Sequence, residues 1–422
     1  MQKRSRNIII VTIIIALTGY LAWRFVRPMN IFIVEEKFAW PVDTSKVPDI
    51  LQTLHAEECG NCHTEFYKEW KTAMHSRAWT DPYFQADWQF DDKQDICRLC
   101  HTPLDRQQPH KILGYRDKNK WNPILGDNPG FDPALQHQGI TCAVCHLREG
   151  KIIGVLGNTN APHPVKKIDD PNQVCMRCHV VAAESWGTFV KFPPCGTVAE
   201  IRKSTASPAD QADLKVLTGL LSPEELKQYS PVQTGKSGEI QVNDTKSLGC
   251  VQCHMPAINR PLVEGGPIRT ARQHLWRGGH DPEMVKSAFK AKLSLETDNG
   301  KQKVRFTIVN KGAAHFLPTG TPDRYLTVQM RLYDKQGKIL DERNEILIRK
   351  VMWRPFIIDL WDTRLQRWKP RSWDMKLPDD KTVSSAEVIV TYHLLNEKRR
   401  KRINYQNKDP IAYEVFRQRI EL

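Results

Sequence analysis

The chain has almost no loose cysteine. Ten of its 11 cysteines stand in five Cys-x-x-Cys pairs, and one, Cys195 in KFPPCGTVAE, is left over. An odd total argues against a plain framework of disulfides. No thioredoxin-like βαβ pattern surrounds the pairs, which argues against simple dithiol exchange. A fixed repeat is also missing: successive pairs start at residues 59, 97, 142, 175 and 250, which excludes a solenoid or array. Negative charge is short as well, with 48 acidic residues against 62 basic ones and a formal charge of +14. By itself that excess points to an anionic partner. What is not short is apolar content, at 40%, beside 26% charged residues. Those ordinary proportions exclude wholesale disorder, and the length allows two or three domains.

No small-residue cleavage site follows the first apolar run. Lys3, Arg4 and Arg6 precede the stretch from Ile8 to Trp23, and Arg24, Phe25, Val26, Arg27 and Pro28 come after it. A cleaved signal peptide has a shorter run and an Ala-x-Ala-like end. Residues 8–26 are long enough to cross a bilayer. The expectation is an uncleaved anchor over residues 1–27 with its N-terminus in the cytoplasm, as the positive-inside rule favours, and with Arg24 snorkelling to the outer interface. A signal peptide is the alternative.

Each of the five pairs is followed at once by histidine. The motifs are CGNCH (Cys59, Cys62, His63), CRLCH (Cys97, Cys100, His101), CAVCH (Cys142, Cys145, His146), CMRCH (Cys175, Cys178, His179) and CVQCH (Cys250, Cys253, His254). At this chain's own frequencies chance gives roughly 0.01 copies. Cys-x-x-Cys-His is the attachment pattern of c-type haem. Two thiols add across two vinyl groups, and the turn between them brings the next imidazole under the iron. Four-thiolate zinc is the competing reading. It needs no histidine after every second cysteine, and five pairs do not divide into sites of two. Each ferric haem with two neutral ligands and ionised propionates adds about −1 and each ferrous one about −2. Five haems therefore bring the formal charge to about +9 or about +4, which removes most of the case for nucleic acid.

Nine further histidines compete for the second axial positions: His55, His75, His110, His137, His163, His274, His280, His315 and His393. His75 follows a helical apolar stripe of Phe66, Trp70, Ala73 and Met74. His163 is pinned between two prolines in NAPHPVKK. His274 and His280 flank Gly278 and Gly279 in RQHLWRGGHDPEM, where bare backbone can approach a flat ring. His315 lies in GAAHFLPTG. These five are the candidate distal ligands, each against the alternative of an ordinary buried or surface histidine. His55, His110 and His393 read as ordinary, and His137 ranks between the two groups. Met255 reads as packing against a haem. Cys195 reads as a buried thiol before anything unusual.

After Lys290 the apolar period changes to two. KLSLE, VRFTIVN, YLTVQMRLYD and AEVIVTYHL alternate, with Leu326, Val328, Met330 and Leu332 on one face, and TDNGK and DKQGK are turns. The expected fold is α+β and multidomain. It has a membrane anchor at 1–27, a proline-marked linker at 28–54 and a mostly helical or irregular pentahaem domain at 55–290. An immunoglobulin-like β-sandwich at 291–396 and a basic tail at 397–422 complete it. Ser222, Pro223 and Glu225 form a capping box inside the haem domain. The Trp- and Arg-rich stretch WRPFIIDLWDTRLQRWKPRSW is either a docking surface or a loop covering the sandwich. The run Lys398–Arg402 either meets anionic groups or is simply solvated.

The segment CGNCHTEFYKEWKTAMHSRAW resembles the start of multihaem c-type cytochromes related to the tetrahaem cytochrome of ammonia oxidisers, within the hydroxylamine-oxidoreductase-like superfamily. GITCAVCH with APHP, CVQCHMP with HLWRGGHDPEM, and NKGAAHFLPTGTPDRYL resemble the same group, over residues 55–395. The resemblance implies electron transfer through stacked haems with mostly bis-histidine iron. By motif match it carries over His75, His163, His274 and His315 as distal ligands, and His280 less directly. No Cys-x-x-Cys-Lys motif is present, and the haem motifs are fewer than in hydroxylamine oxidoreductases, so catalysis does not follow. The expectation is an electron carrier on the periplasmic face of a bacterial inner membrane. Its partners would be other redox proteins or respiratory-complex subunits. The alternatives are an oxidoreductase with one open-coordinate haem acting on a small nitrogen or sulfur compound, and a quinol-oxidising respiratory subunit.

Overall fold

The computed structural model describes residues 2–26, 39–116, 122–179, 196–227, 229, 249–298, 300–352, 358–378 and 382–422. Helix α1 (Gln2–Val26) is the N-terminal apolar run. Its window Ser5–Ala22 has a mean hydropathy of 1.7, long and apolar enough to cross a membrane, and Ile8, Ile13 and Ile15 are exposed on it. The Arg24 side chain and Arg27 lie outside the described residues.

The next part of the chain is short helices joined by long loops. They are α2 (Ala56–Gly60), α3 (Thr64–Thr72), α4 (Pro82–Phe90), α5 (Arg98–His101), α6 (Pro133–His137), α7 (Cys142–His146) and α8 (Asn172–His179). Then come α9 (Thr197–Ala206), α10 (Gln211–Leu220), α11 (Pro223–Leu226), α12 (Cys250–His254) and α13 (Pro282–Ser287). Two devices start them. Asp81, Asp132 and Asp281 each cap a helix whose next residue is proline, and Ser222 and Glu225 close the expected capping box around Pro223. The region also holds small sheets that the sequence reading left out: β1 (His110–Tyr115) with β2 (Pro123–Asp127), β3 (Leu147–Arg148) with β4 (Lys151–Gly154) and β5 (Val165–Lys167), and β6 (Ala257–Pro261) with β7 (Ile268–Arg272).

The segment expected as a linker is part of this region from Ala39 onward. Ala39, Val42 and Leu54 are buried, Val42 bridges to Leu104, and the Thr44 hydroxyl and amide donate to Asp105. Proline marks this stretch, but its apolar residues enter the core beside Leu135, Val144 and Leu147.

Strands β8 (Phe289–Asp298), β9 (Lys301–Asn310), β10 (Tyr325–Tyr333), β11 (Ile339–Met352), β12 (Ile358–Asp362), β13 (Arg371–Lys376) and β14 (Ser385–His393) follow. After α14 (Glu397–Arg402) comes β15 (Ala412–Glu421). One antiparallel sheet runs β12-β11-β10-β14-β15 and the other β13-β9-β8. Their inner faces share one core of Phe306, Ile308, Val328, Met330, Val388 and Val390, among others. Leu326, Val328, Met330 and Leu332 are all buried, as their alternation requires.

Residues 397–422 are not a tail. The basic run forms α14, capped by the Asn396 side chain, and β15 pairs along β14 from Ser385 to His393. The charged residues of β15 face solvent while Val415 is buried. The Trp-rich stretch is split: Trp368 and Trp373 are buried and Trp361 is exposed, while Trp353 lies outside the described residues.

His393 sits in this sheet, stacked on Tyr325 at 4.2 Å with its Nε2 3.0 Å from the Thr327 hydroxyl. Burial lowers its pKa to about 4. A folded-state value below the unfolded one means stability that is present above about pH 6.5 and lost as pH falls toward 4. After discounting for partial exposure, the contribution is on the order of 1 kcal/mol. His393→Gln should flatten the fall in Tm between pH 6.5 and 4, and an unchanged slope would remove His393 as its source.

Candidate haem-binding sites

Each Cys-x-x-Cys-His motif is built on a single turn of helix. A turn brings residues i and i+3 to one face, so the two thiols project together and the histidine closes the turn. The two residues between the thiols supply the anchorage. Leu99, Ala143, Val144, Met176 and Val251 are all buried. The first motif differs slightly: α2 ends at Gly60, and His63 begins α3 as its N-cap.

Four of the five motif histidines share a second feature. His63 Nδ1 lies 2.8 Å from the Leu262 carbonyl, His101 Nδ1 2.5 Å from Ala78, His146 Nδ1 2.7 Å from Ile153 and His254 Nδ1 2.7 Å from Arg277. His274 and His315, outside the motifs, do the same with the carbonyls of Arg272 and Phe316, at 2.9 and 2.8 Å. A carbonyl can only accept, so Nδ1 carries the proton in all six. The lone pair is left on Nε2, the arrangement typical of ligating imidazoles. Burial lowers the pKa of His75 to about 3 and those of His101, His274 and His315 to about 4. These rings are neutral at neutral pH, as a ligand must be.

Three of these rings face a partner. His63 and His163 have centroids 6.5 Å apart, His146 and His274 6.0 Å, and His254 and His315 6.4 Å. An imidazole nitrogen binds its metal at about 2 Å and sits about 1.2 Å from its own centroid, so two imidazoles on opposite faces of one metal have centroids about 6.4 Å apart. All three separations agree with that figure, and the donor set therefore fits an iron between each pair. His163 Nδ1 and His75 Nδ1 are buried without a partner among the described residues.

His163, His274 and His315 are thus brought opposite motif histidines. His75 and His280 are not, within ring contact. The helix expected to carry His75 ends at Thr72, because Ala73 is extended, and His75 lies on a following 3-10 turn with its ring 4.7 Å from Trp276. His179 is the motif histidine with the strongest electrostatic effect on it. His280 is exposed, with Arg324 and Arg77 as its charged neighbours. His101 stacks on Phe84 at 3.6 Å, and no imidazole faces it among the described residues. His55 pairs with Asp132 at 2.9 Å, and His110 and His137 are exposed. Cys195 lies outside the described residues.

The motif thiols also converge. The Cys59 and Cys142 thiols are close enough to shift one another's pKa, as are those of Cys175 and Cys250, and Cys178 Sγ lies 3.8 Å from the Cys100 carbonyl oxygen. The first motif therefore adjoins the third, and the fourth adjoins both the second and the fifth. Burial raises the Cys145 thiol to about 11, and Cys178 adds to that shift, which links the two groups. Among the described residues no three His, Cys, Asp or Glu side chains converge as a metal site of their own.

The family described as "Cytochrome c554 and c-prime" matches residues 58–120, which hold the first two motifs. The crystal structure of a penta-heme cytochrome c552 from Thermochromatium tepidum is similar in fold, with a TM-score of 0.55 and 19% identity over 87% of this chain and 98% of that one. These findings support a multihaem c-type cytochrome. A structural-genomics target, SoR45, overlaps 32% of this chain at a TM-score of 0.15 and 14% identity and carries no argument. No curated protein matches.

Two arginine-centred clusters hold the His274 and His315 loops, and sequence reading missed both. Arg260 forks onto Glu69 at 2.7 and 2.7 Å, and Glu69 accepts the His274 amide at 2.8 Å. Arg364 binds Glu200 at 2.6 Å and Asp362 at 2.7 Å beside the His315 loop. The partners are 191 and 164 residues apart, and no local pattern announces them.

Proposed function

We propose that the chain is a membrane-anchored pentahaem cytochrome c that passes electrons between a membrane donor and a periplasmic or extracellular redox protein. The three facing histidine pairs carry this reading. Cys59/Cys62, Cys97/Cys100, Cys142/Cys145, Cys175/Cys178 and Cys250/Cys253 would attach the haems, with His63, His101, His146, His179 and His254 as proximal ligands. His163, His274 and His315 would be the distal ligands opposite His63, His146 and His254, and His75 and His280 are retained for the two remaining sites. Bound haem supplies a one-electron couple at each site. The chain holds neutral imidazoles in fixed tautomers, would exclude water with Leu99, Ala143, Val144, Met176 and Val251, and brings neighbouring motifs together. Cys62 and Cys253 are the two exposed attachment thiols among those described. Their exposure favours the first and fifth motifs as the ways in and out of the relay. The apolar helix α1 supports the anchor, and the two facing sheets support the immunoglobulin-like sandwich.

Electron paramagnetic resonance of the oxidised, detergent-purified protein tests the ligand assignment. His163→Gly should convert about one haem per chain from low-spin to high-spin and open it to carbon monoxide after reduction. A spectrum matching the wild type would remove His163 from the ligand set. Mass spectrometry should find haem on all five motifs, and fewer would overturn the pentahaem count.

A second reading, an oxidoreductase with one open iron, is favoured by the lack of an imidazole facing His101 among the described residues. A stoichiometric high-spin signal that persists in the wild type and survives His280→Gly would support it. A fully low-spin wild type would end it.

A further inference from the structure

Loop 311–320 carries His315 out of the β-sandwich toward the fifth motif, and it is gripped on both sides of that histidine. On the N-terminal side the Asn310 side chain donates to the His315 carbonyl at 2.8 Å and accepts the Ala313 amide at 3.0 Å. On the C-terminal side the Phe316 amide donates to Glu200 at 3.2 Å, and the Phe316 carbonyl accepts the His315 Nδ1 proton. Leu317 and Leu365 exchange backbone hydrogen bonds at 2.9 Å. Arg364 completes the grip. Its Nη1 donates to Glu200 at 2.6 Å and to the Pro318 carbonyl at 3.1 Å, its Nη2 donates to Asp362 at 2.7 Å, and its guanidinium lies 5.2 Å from the Phe316 ring centroid.

This triad is almost wholly removed from water. The side chains of Arg364, Glu200 and Asp362 are 3%, 2% and 8% exposed. A buried ion pair adds little net stability, because desolvation offsets its attraction. What it supplies is direction, since a guanidinium fork and a carboxylate meet well in only a few orientations. Glu200 sits on α9, whose other side packs Val198 and Ile201 against Met176 of the fourth motif, with Cys250 of the fifth motif and Ala314 beside them. One helix therefore references both the proximal side, through Cys250, and the loop that delivers the facing ring.

We propose that Glu200 and Arg364 are positioning residues for His315. The buried Glu200–Arg364–Asp362 triad sets the angle and the retention of the His315 imidazole opposite His254. It thereby sets the ligand field of the haem held between them. The inference rests on the ligand reading above for that one site.

Four variants separate the two ideas. His315→Gly is the reference and should open about one haem per chain to carbon monoxide. Arg364→Lys keeps the charge but cannot fork, and Glu200→Gln keeps an acceptor for the Phe316 amide but weakens the pair. Both should fold with a full haem complement. Both should shift one low-spin signal, and Arg364→Lys should admit carbon monoxide at a fraction of one haem per chain. Arg364→Met is the stronger lesion; if it fails to accumulate, the two conservative variants decide. Fully loaded conservative variants with wild-type signals and no carbon monoxide binding would overturn the clamp, even with a lowered Tm, because that pattern marks a purely structural pair. A His315→Gly protein that keeps the wild-type spectrum would instead overturn the ligand reading, and the clamp with it.

Discussion

Cys142→Ala with Cys145→Ala should remove one haem and the fold of the haem region together, whereas the same change at Cys250 and Cys253 should remove one haem and leave a folded protein. The difference lies in what surrounds each motif. Helix α7 is inside a core made by Val42, Leu54, Leu104, Leu135, Ile140 and Leu147, to which its own Ala143 and Val144 belong. The Trp70 indole donates to the Ile140 carbonyl at 2.6 Å, and the Ile140 amide donates to the His75 carbonyl at 2.9 Å. The third site thus touches the backbone of a candidate ligand for another. Emptying a buried leucine-sized volume costs about 2–5 kcal/mol. A macrocycle is several times larger, so its loss here is on the order of 10 kcal/mol, comparable to the whole stability of a typical domain. Helix α12 is at the edge by contrast: only Val251 of it is buried, and Cys253 is exposed. Haem staining and soluble yield of the two double variants check this. A soluble 142/145 variant with one haem fewer would mean that the core of the third site folds without its cofactor.

The candidate attachment motifs can be read from the sequence because their pattern is local. Two thiols and an imidazole within five residues need only one helical turn, and each motif supplies that turn from its own sequence. For the candidate distal ligands the structure gives positions that the sequence reading anticipated only in part. His163, His274 and His315 lie in stretches stiffened by proline or glycine, and the fold presents all three to motif histidines. The helical stripe before His75 was real, but it ends at Thr72, and nothing in the side-chain pattern marks the extended Ala73 that ends it. The basic run from Lys398 to Arg402 hid a strand for a related reason. A charge run reads as solvated, but α14, which connects β14 to β15, is only partly so: the Arg399 side chain is 19% exposed and pairs with Asp87 on α4 and, at 3.1 Å, with Asp323. The Val415 burial and the long ladder along β14 depend on a partner strand that sequence alone does not place. The carbonyls that fix the imidazole tautomers were illegible altogether, since every residue has one.

Glu69→Ala should be among the most damaging single changes outside the motifs, with a loss of about 3–5 kcal/mol on chemical denaturation. Glu69 on α3 and Arg260 on β6 are 14% and 13% exposed at the side chain and share two hydrogen bonds of 2.7 Å. Removing the carboxylate leaves a guanidinium in low dielectric, with the Phe66 ring 4.2 Å away as its remaining neighbour from α3. It also strips the acceptor from the His274 amide, so the loop opposite His146 loses its tie to α3. The loss is a penalty for an abandoned charge more than the worth of the pair. A double variant, Glu69→Ala with Arg260→Met, removes the charge and keeps apolar contact with Phe66, so it should recover more than half of the stability lost by Glu69→Ala. A double variant as unstable as the single would instead place the damage at the His274 amide. In that case both variants should show new high-spin iron, because the tie to the ligand loop, and not the buried charge, would be what α3 contributes to the site.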